Sequence, residues 1–262
     1  MKTIILSFDD ARRDFYTRAL PIINQFKLTA TLNVTTDFIL NPSNYECFQS
    51  GDNQSMCTKE LIECQNNGIE IACHGHYHLN TKEDVLQNIQ TLKEMNLTFP
   101  QGIGFASPNS EITSNNKNDK GVWELVENGT LTYIRSGIQV LREGLMYTFL
   151  SLLDRYIHSP KLWYLLNKRN IFNKGSVGSI LPSVTIHSYT SIEQIQNFIL
   201  KMPDHSTAIL MFHSICNTSD KGYGVDKFYF DEGKFIKLCE WIANYKQVQC
   251  STTIDYVINN RI

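Results

Sequence analysis

At 262 residues, with 42% hydrophobic and 19% charged side chains, the chain is long enough for one domain with a substantial core. A net charge of −2 supplies no basic field for nucleic acid, and no apolar run is long enough to span a bilayer, so neither nucleic-acid binding nor stable membrane insertion is expected. The seven cysteines contain no Cys-x-x-Cys pair, which argues against a zinc knuckle or a thioredoxin-like site. Reduced thiols in a cytoplasmic protein are the simplest account, and Cys47 and Cys57 are the pair that would close a loop in an exported one. The apolar stretch after Lys2 is too short for a leader and runs straight into Asp9 and Asp10, so a cytoplasmic location is expected.

The first predicted element is a strand over 3–8, continuously apolar as in strands buried on both faces. It ends in the adjacent carboxylates Asp9 and Asp10, whose side chains point in different directions, so one acid can hold a metal while the other faces a reacting atom. A plain strand stop or helix cap is the bland alternative. A helical face follows over 14–26, then a strand over 30–34 and a Pro-, Gly-, Asn- and Ser-containing loop over 40–57. A helix from Thr58 to near Gly68 leads into a strand over 69–73 and the run His74-Gly75-His76-Tyr77-His78.

Beyond it the pattern predicts a helix over 83–95, a strand over 102–106, a helix over 120–128 and a short strand over 133–135. Strands over 183–187, 208–212 and 248–251 alternate with helices over 192–201 and 233–244. This alternation predicts an α/β fold with a parallel sheet, open or closed. Residues 142–174 break the rhythm. Their greasy residues, from Leu145 to Ile157 and again after Pro160, read as a helical hairpin inserted into one domain spanning 1–262. The hairpin either packs on the core or meets an apolar partner or lipid carrier.

Three groups carry chemistry. His74 and His78 stand four apart, so on a helical turn they would share a face and reach one metal; His76 is out of phase. With Asp10 they form a two-histidine, one-carboxylate set suited to a catalytic divalent ion, zinc or another first-row metal. His213 ends the strand 208–212 and has the right pKa range to protonate a leaving amine.

Together these motifs resemble the polysaccharide deacetylase family, the carbohydrate esterase group with the NodB homology domain. Ser7-Phe8-Asp9-Asp10-Ala11 is similar to its Thr/Ser-Phe-Asp-Asp-Gly motif, and His74-Gly75-His76-Tyr77-His78 to its His-Ser/Thr-x-x-His motif. Phe105-Ala106-Ser107-Pro108-Asn109 falls where Arg-x-Pro-Tyr/Phe-Gly is expected, and Leu210-Met211-Phe212-His213 is similar to Leu-x-x-His. The resemblance implies a distorted (β/α) barrel of about seven parallel strands and metal-dependent hydrolysis of an amide or ester on an acylated sugar or glycan. By motif position Asp9 is the general base, His213 the general acid, Asp10, His74 and His78 the metal ligands, and Pro108 a substrate contact.

Three positions depart from the family. Ala11 replaces a glycine in the turn. Gly75 replaces a hydroxyl residue, implying a looser metal loop. Ala106 replaces an arginine, which leaves the tuning of Asp9 open. Arg135, at the end of the next strand, is expected to stand in for that arginine, and His187 is expected at the rim as a second substrate contact. The family's Asp and Trp pair has no clear counterpart, since Asp119 and Trp123 come too early. A sugar-binding barrel without turnover, and a hydrolase of a different non-peptide amide, are the competing readings. The substrate expected is an acylated sugar intermediate, cytosolic or lipid-linked.

Overall fold

The computed structural model describes residues 1–45, 54–137, 145–173, 175, 180–220, 223–224 and 227–260. Seven parallel strands close into a barrel: β1 (Lys2–Phe8), β2 (Thr31–Val34), β3 (Glu70–Cys73), β4 (Phe105–Ala106), β5 (Ile134–Gly137), β6 (Ile180–Thr185) and β7 (Thr207–Phe212). Closure is the pairing of β1 with β7 along Thr3–Phe8 and Thr207–Phe212. A short parallel pair follows, β8 (Ser214–Cys216) with β9 (Tyr229–Asp231). The last strand, β10 (Val248–Ser251), takes the first half of the free edge of β1, while β2 pairs only with Ser7 and Phe8. The barrel is therefore splayed at one end, which is its distortion.

Period-two alternation sorts the strand side chains. Ile4, Leu6 and Phe8 belong to the large outer core between strands and helices. Ile5, Tyr133, Leu181 and Ile209 belong to a separate inner cluster, closed from below by Ile254, Tyr256 and Val257 of a C-terminal helix over Thr253–Asn260. Half-buried Glu70 ties that plug in place, accepting hydrogen bonds from Tyr133 Oη (2.6 Å), Thr31 Oγ1 (2.7 Å) and the Ile254 amide (2.9 Å). This plug helix was not among the elements expected from the sequence. β4 is shorter than expected because Gly104 lets the Tyr133 ring lie across the chain; a Cβ there would sit 1.9 Å from its Cζ.

The helices that matter to the site are α1 (Leu20–Gln25), α2 (Thr36–Leu40), α3 (Thr58–Asn66), α4 (Lys82–Glu94), α5 (Val122–Glu127), α6 (Leu145–Ile157) and α7 (Pro160–Asn167), with α8 (Ile192–Lys201) and α9 (Glu232–Asn244) completing the ring. α6 and α7 are the expected helical hairpin. α7 packs inward through buried Trp163, 5.4 Å from the Phe198 ring, whereas α6 leaves Met146, Phe149, Tyr156 and Ile157 exposed. Cys47 lies outside the described residues. Among the described residues no helix is long and apolar enough to cross a membrane.

Candidate active site

The inner faces of the strands carry the site. Above the apolar layer of Ile5, Tyr133, Leu181 and Ile209, the next inward positions two residues on are Ser7, Arg135, Ser183 and Met211, joined by Asn33 of β2. Asp9 caps this polar layer. Arg135 reaches it with Nη2 at 2.7 and 2.8 Å from the two carboxylate oxygens. The other Arg135 terminal nitrogen contacts Ser183 Oγ at 3.3 Å and the Met211 sulfur. Asn33 Nδ2 adds a bond of 2.8 Å to Asp9 Oδ1. Arg135 thus occupies the space expected for it. Register explains how: Ala106 pairs directly with Arg135, so the small residue on one strand leaves room for the large one on its neighbour.

Asp9 and Arg135 are both buried, at 3% and 1% exposure. Burial alone would raise the Asp9 pKa, but the Arg135 guanidinium, with His74 and His213, outweighs it and holds the carboxyl below its ordinary range. Asp9 is an ionised carboxylate in a fixed orientation.

Asp10 turns the other way. Its φ of 77° and that of Ala11, 62°, put two successive residues in the left-handed region, so the chain reverses tightly after β1. Ala11 adopts there what the family's glycine adopts at no cost. Asp10 Oδ2 accepts from Arg12 Nε (3.0 Å) and Nη2 (2.9 Å), and Arg12 Nη1 extends to Ser214 Oγ at 3.1 Å. Burial opposes ionisation of Asp10, but Arg12 together with His74 and His213 holds its pKa well below the usual range. The remaining oxygen, Oδ1, is buried without a hydrogen-bond partner among the described residues. It faces His74 Nε2 at 3.5 Å and His78 Nε2 at 3.7 Å.

These three donors lie within 4.8 Å of one another. The separations exceed a hydrogen bond and match the edge of a tetrahedral ion with bonds of about 2.0–2.1 Å, roughly 3.4 Å. The orphaned Oδ1 and the chemistry of the donors therefore fit a divalent cation. His74 Nδ1 lies 2.8 Å from the Ala106 carbonyl, which accepts its proton and leaves Nε2 as the ligand atom. Burial lowers the His74 pKa, but the paired Asp9 and Asp10 outweigh it and raise it, whereas burial and the adjacent His74 push His78 down to about 4.

The two imidazoles do not share a helical turn, contrary to the expectation from their spacing. Residues 74–80 form a loop, and convergence comes from left-handed conformations at Gly75 (φ 81°) and His78 (φ 59°). The expected looseness at Gly75 is absent as well. Asp84, in the first turn of α4, accepts from the Tyr77 amide at 2.8 Å and the Leu79 amide at 3.1 Å, and Asn88 Nδ2 donates to the Gly75 carbonyl at 2.9 Å. A Cβ at Gly75 would lie 2.5 Å from Asp84 Oδ2. His76 points away, with Nδ1 2.7 Å from Thr36 Oγ1 under α2.

A cleft of about 700 Å³ opens over these groups. His213 lines it, its ring 5.0 Å from Phe228, with Nδ1 unpartnered among the described residues and a pKa lowered mainly by burial. His187 lines it too, as expected for a rim contact. Pro108 does not: it is buried, its carbonyl accepts from Asn80 Nδ2 at 3.0 Å, and Ser107, Asn109 and Ser110 form the wall there instead. Neither Asp119 nor Trp123 lines the cleft. α6 overhangs the mouth through Tyr147, Ser151, Leu152 and Arg155. Arg12, Asn33, Asp84 and Asn88 were missed in the sequence. The Thr81-x-x-Asp84 cap was the one local signal for Asp84, and only the period-two register of β2 under β1 marks Asn33.

Comparison with known proteins bears on the fold and the first half of the chain. Residues 1–128 match the family described as polysaccharide deacetylase. No curated protein matches the sequence. The peptidoglycan deacetylase PdaC from Bacillus subtilis is similar in structure at 15% identity and TM-score 0.50, covering 99% of this chain and 93% of that one. The Bc1960 peptidoglycan N-acetylglucosamine deacetylase aligns at 12% identity and TM-score 0.51, covering 97% and 91%. The 4-alpha-glucanotransferase from Thermococcus litoralis aligns at 12% identity and TM-score 0.55, covering 98% of this chain and 40% of that one. At such identities the likeness speaks to the fold alone, and a transferase among the neighbours shows why. The segment 1–128, which holds Asp9, Asp10, His74 and His78, matches the polysaccharide deacetylase family, and the whole chain folds as the parallel barrel that this resemblance implies.

Proposed function

We propose that the protein is a metal-dependent hydrolase that removes an acyl group, N-acetyl in the simplest case, from a sugar or glycan. The observation that carries this is the pairing of two differently held carboxylates. Asp9 is clamped by Arg135 and faces the cleft, while 3.9 Å from its Oδ2 begins the His74–His78–Asp10 donor set. Two adjacent acids are thereby given two tasks by their partners alone.

Asp10, His74 and His78 would hold the divalent ion, zinc or another first-row metal. Such an ion supplies Lewis acidity, lowering the pKa of a water and polarising the acyl carbonyl. Asp9 accepts the proton of the attacking water. Arg135 and Asn33 fix the carboxylate's orientation, so it need not reorganise during the step. His213, which lines the same cleft, gives a proton to the departing nitrogen or oxygen.

α6 adds a second element to the reading. Its exposed Met146, Phe149, Tyr156 and Ile157 adjoin Leu152, which both lines the cleft and is 47% exposed. This continuity favours a sugar carried on a lipid over a finished polymer, which would need a longer polar groove. Acetate release from N-acetylated sugars in the presence of added zinc, cobalt or manganese tests the reaction. No release from any acylated sugar by the metal-loaded protein would remove the reading.

A further inference from the structure

Part of the cleft wall is made of rings and cations. His187 stacks on Tyr189 with centroids 4.9 Å apart and 27° between planes, and Phe228 lies 5.7 Å from His187 and 5.0 Å from His213. Arg155 of α6 sits over the Tyr189 ring at 5.2 Å, and Lys227 over the Phe228 ring at 5.0 Å. All six line the cleft, and Arg155 and Lys227 are exposed. Among the described residues lining it, the carboxylates are Asp9 and Asp10, and each already holds an arginine, Arg135 and Arg12. Among the described residues no lining carboxylate is left to balance the two rim cations, and a bound divalent ion would add further positive charge. Ring faces attract cations without neutralising them. A wall of this kind offers the apolar face of a pyranose ring a surface to stack on, and an anion two charged donors.

We infer that this wall is an anion subsite, and that the substrate is an N-acylated sugar bearing a phosphate, with the sugar against the Tyr189–Phe228 rings and the phosphate at the Arg155–Lys227 rim. The inference rests on the deacylase reading for which sugar enters, but the subsite itself can be tested without turnover.

The test is calorimetric titration of the full chain, stripped of metal by chelator so that phosphate cannot coordinate an ion, with N-acetylglucosamine 1-phosphate and with N-acetylglucosamine. The phosphorylated sugar should bind at least about tenfold more tightly, as expected for two charge-assisted contacts at a partly exposed site. That advantage should shrink between low and high salt. Arg155→Gln with Lys227→Gln should abolish it, while the charge-keeping pair Arg155→Lys with Lys227→Arg should retain most of it, which separates lost charge from lost folding. Equal affinities for the two sugars, including no measurable binding of either, or an advantage that survives the glutamine pair, would overturn the subsite. A lipid phosphodiester of the same sugar distinguishes the source of the phosphate. Tighter binding than the free sugar phosphate, lost on Phe149→Ala with Tyr156→Ala, assigns it to a lipid carrier, and equal binding assigns it to a soluble sugar phosphate. Acetate release by the metal-loaded, unaltered protein is scored separately, so a failed reaction with an intact phosphate preference would sink the deacylase reading alone.

Discussion

At the scale of single residues, the site is defined by what each carboxylate touches. Arg135 is the residue whose role is most exposed to test. Arg135→Met leaves Asp9 buried without its counter-charge, a loss of about 3–5 kcal/mol for a broken buried pair, visible as a lower Tm. The same variant should keep its metal and lower kcat by roughly 10- to 100-fold with little change in KM, because orientation of the base is lost while the substrate wall is intact. Full turnover in Arg135→Met would refute the positioning role. Asp9→Asn should likewise retain metal and lose turnover by about 10²-fold or more; loss of metal instead would mean that the two aspartates have exchanged roles. The direct hydrogen bonds of Arg135 to Asp9 were anticipated from the sequence because Ala106 left a charge unaccounted for, and adjacent parallel strands are neighbours. Arg12 was not anticipated. Its guanidinium reaches Asp10 only because Asp10 and Ala11 both adopt left-handed backbone, and nothing in Asp-Asp-Ala-Arg announces that turn.

At the scale of elements, the loop after β3 brings His74 and His78 together by a geometry other than the one their spacing suggested. The four-residue spacing of His74 and His78 suggested a helical turn, yet a glycine-dependent loop pinned by α4 brings the rings together. Gly75→Ser, which restores the residue usual in the family, should therefore harm this protein. It forces a side chain into a left-handed position, at about 1 kcal/mol, and into Asp84 and the Leu79 backbone, 2.5 and 2.9 Å from the new Cβ. Equilibrium dialysis should show weaker metal binding in Gly75→Ser, and unchanged affinity would contradict the tight-loop account. α6 makes a different prediction. Phe149 is 61% exposed, so Phe149→Ala should change stability by no more than about 0.5 kcal/mol. If α6 guides an apolar tail, the same change should raise KM for a lipid-linked sugar more than for a soluble one, and equal effects on both would return the helix to a packing role. The hairpin itself was visible in the sequence as a greasy interruption of the strand–helix rhythm. The anchoring of α7 through buried Trp163 and the exposure of most of the α6 apolar face were not, because both helices carry comparable apolar content and only their packing partners differ.

At the scale of the whole molecule, the alternation of strands and helices made a parallel sheet legible and the family resemblance its form as a barrel, while the period of two along each strand accounts for the polar interior. Tyr133 and Arg135, and Leu181 and Ser183, each place a ring or apolar residue low and a polar one high on the inner face, and above Ile209 the Met211 sulfur meets the Arg135 guanidinium. What stayed hidden was the plug helix over Thr253–Asn260 and the place of β10 beside β1, which depend on long-range contacts that no local pattern encodes. The barrel gathers Asp9, Asp10 and His213 from strand ends far apart in sequence and sets them against one loop after β3, so that the proposed chemistry needs a metal at a single point. The most direct test is metal content by mass spectrometry alongside acetate release, comparing the unaltered protein with His78→Ala after equal exposure to zinc. Close to one ion per chain in the unaltered protein, with both metal and acetate release falling together in the variant, is the result this site predicts. Full metal occupancy in His78→Ala, or undiminished release from a metal-free protein, would contradict it.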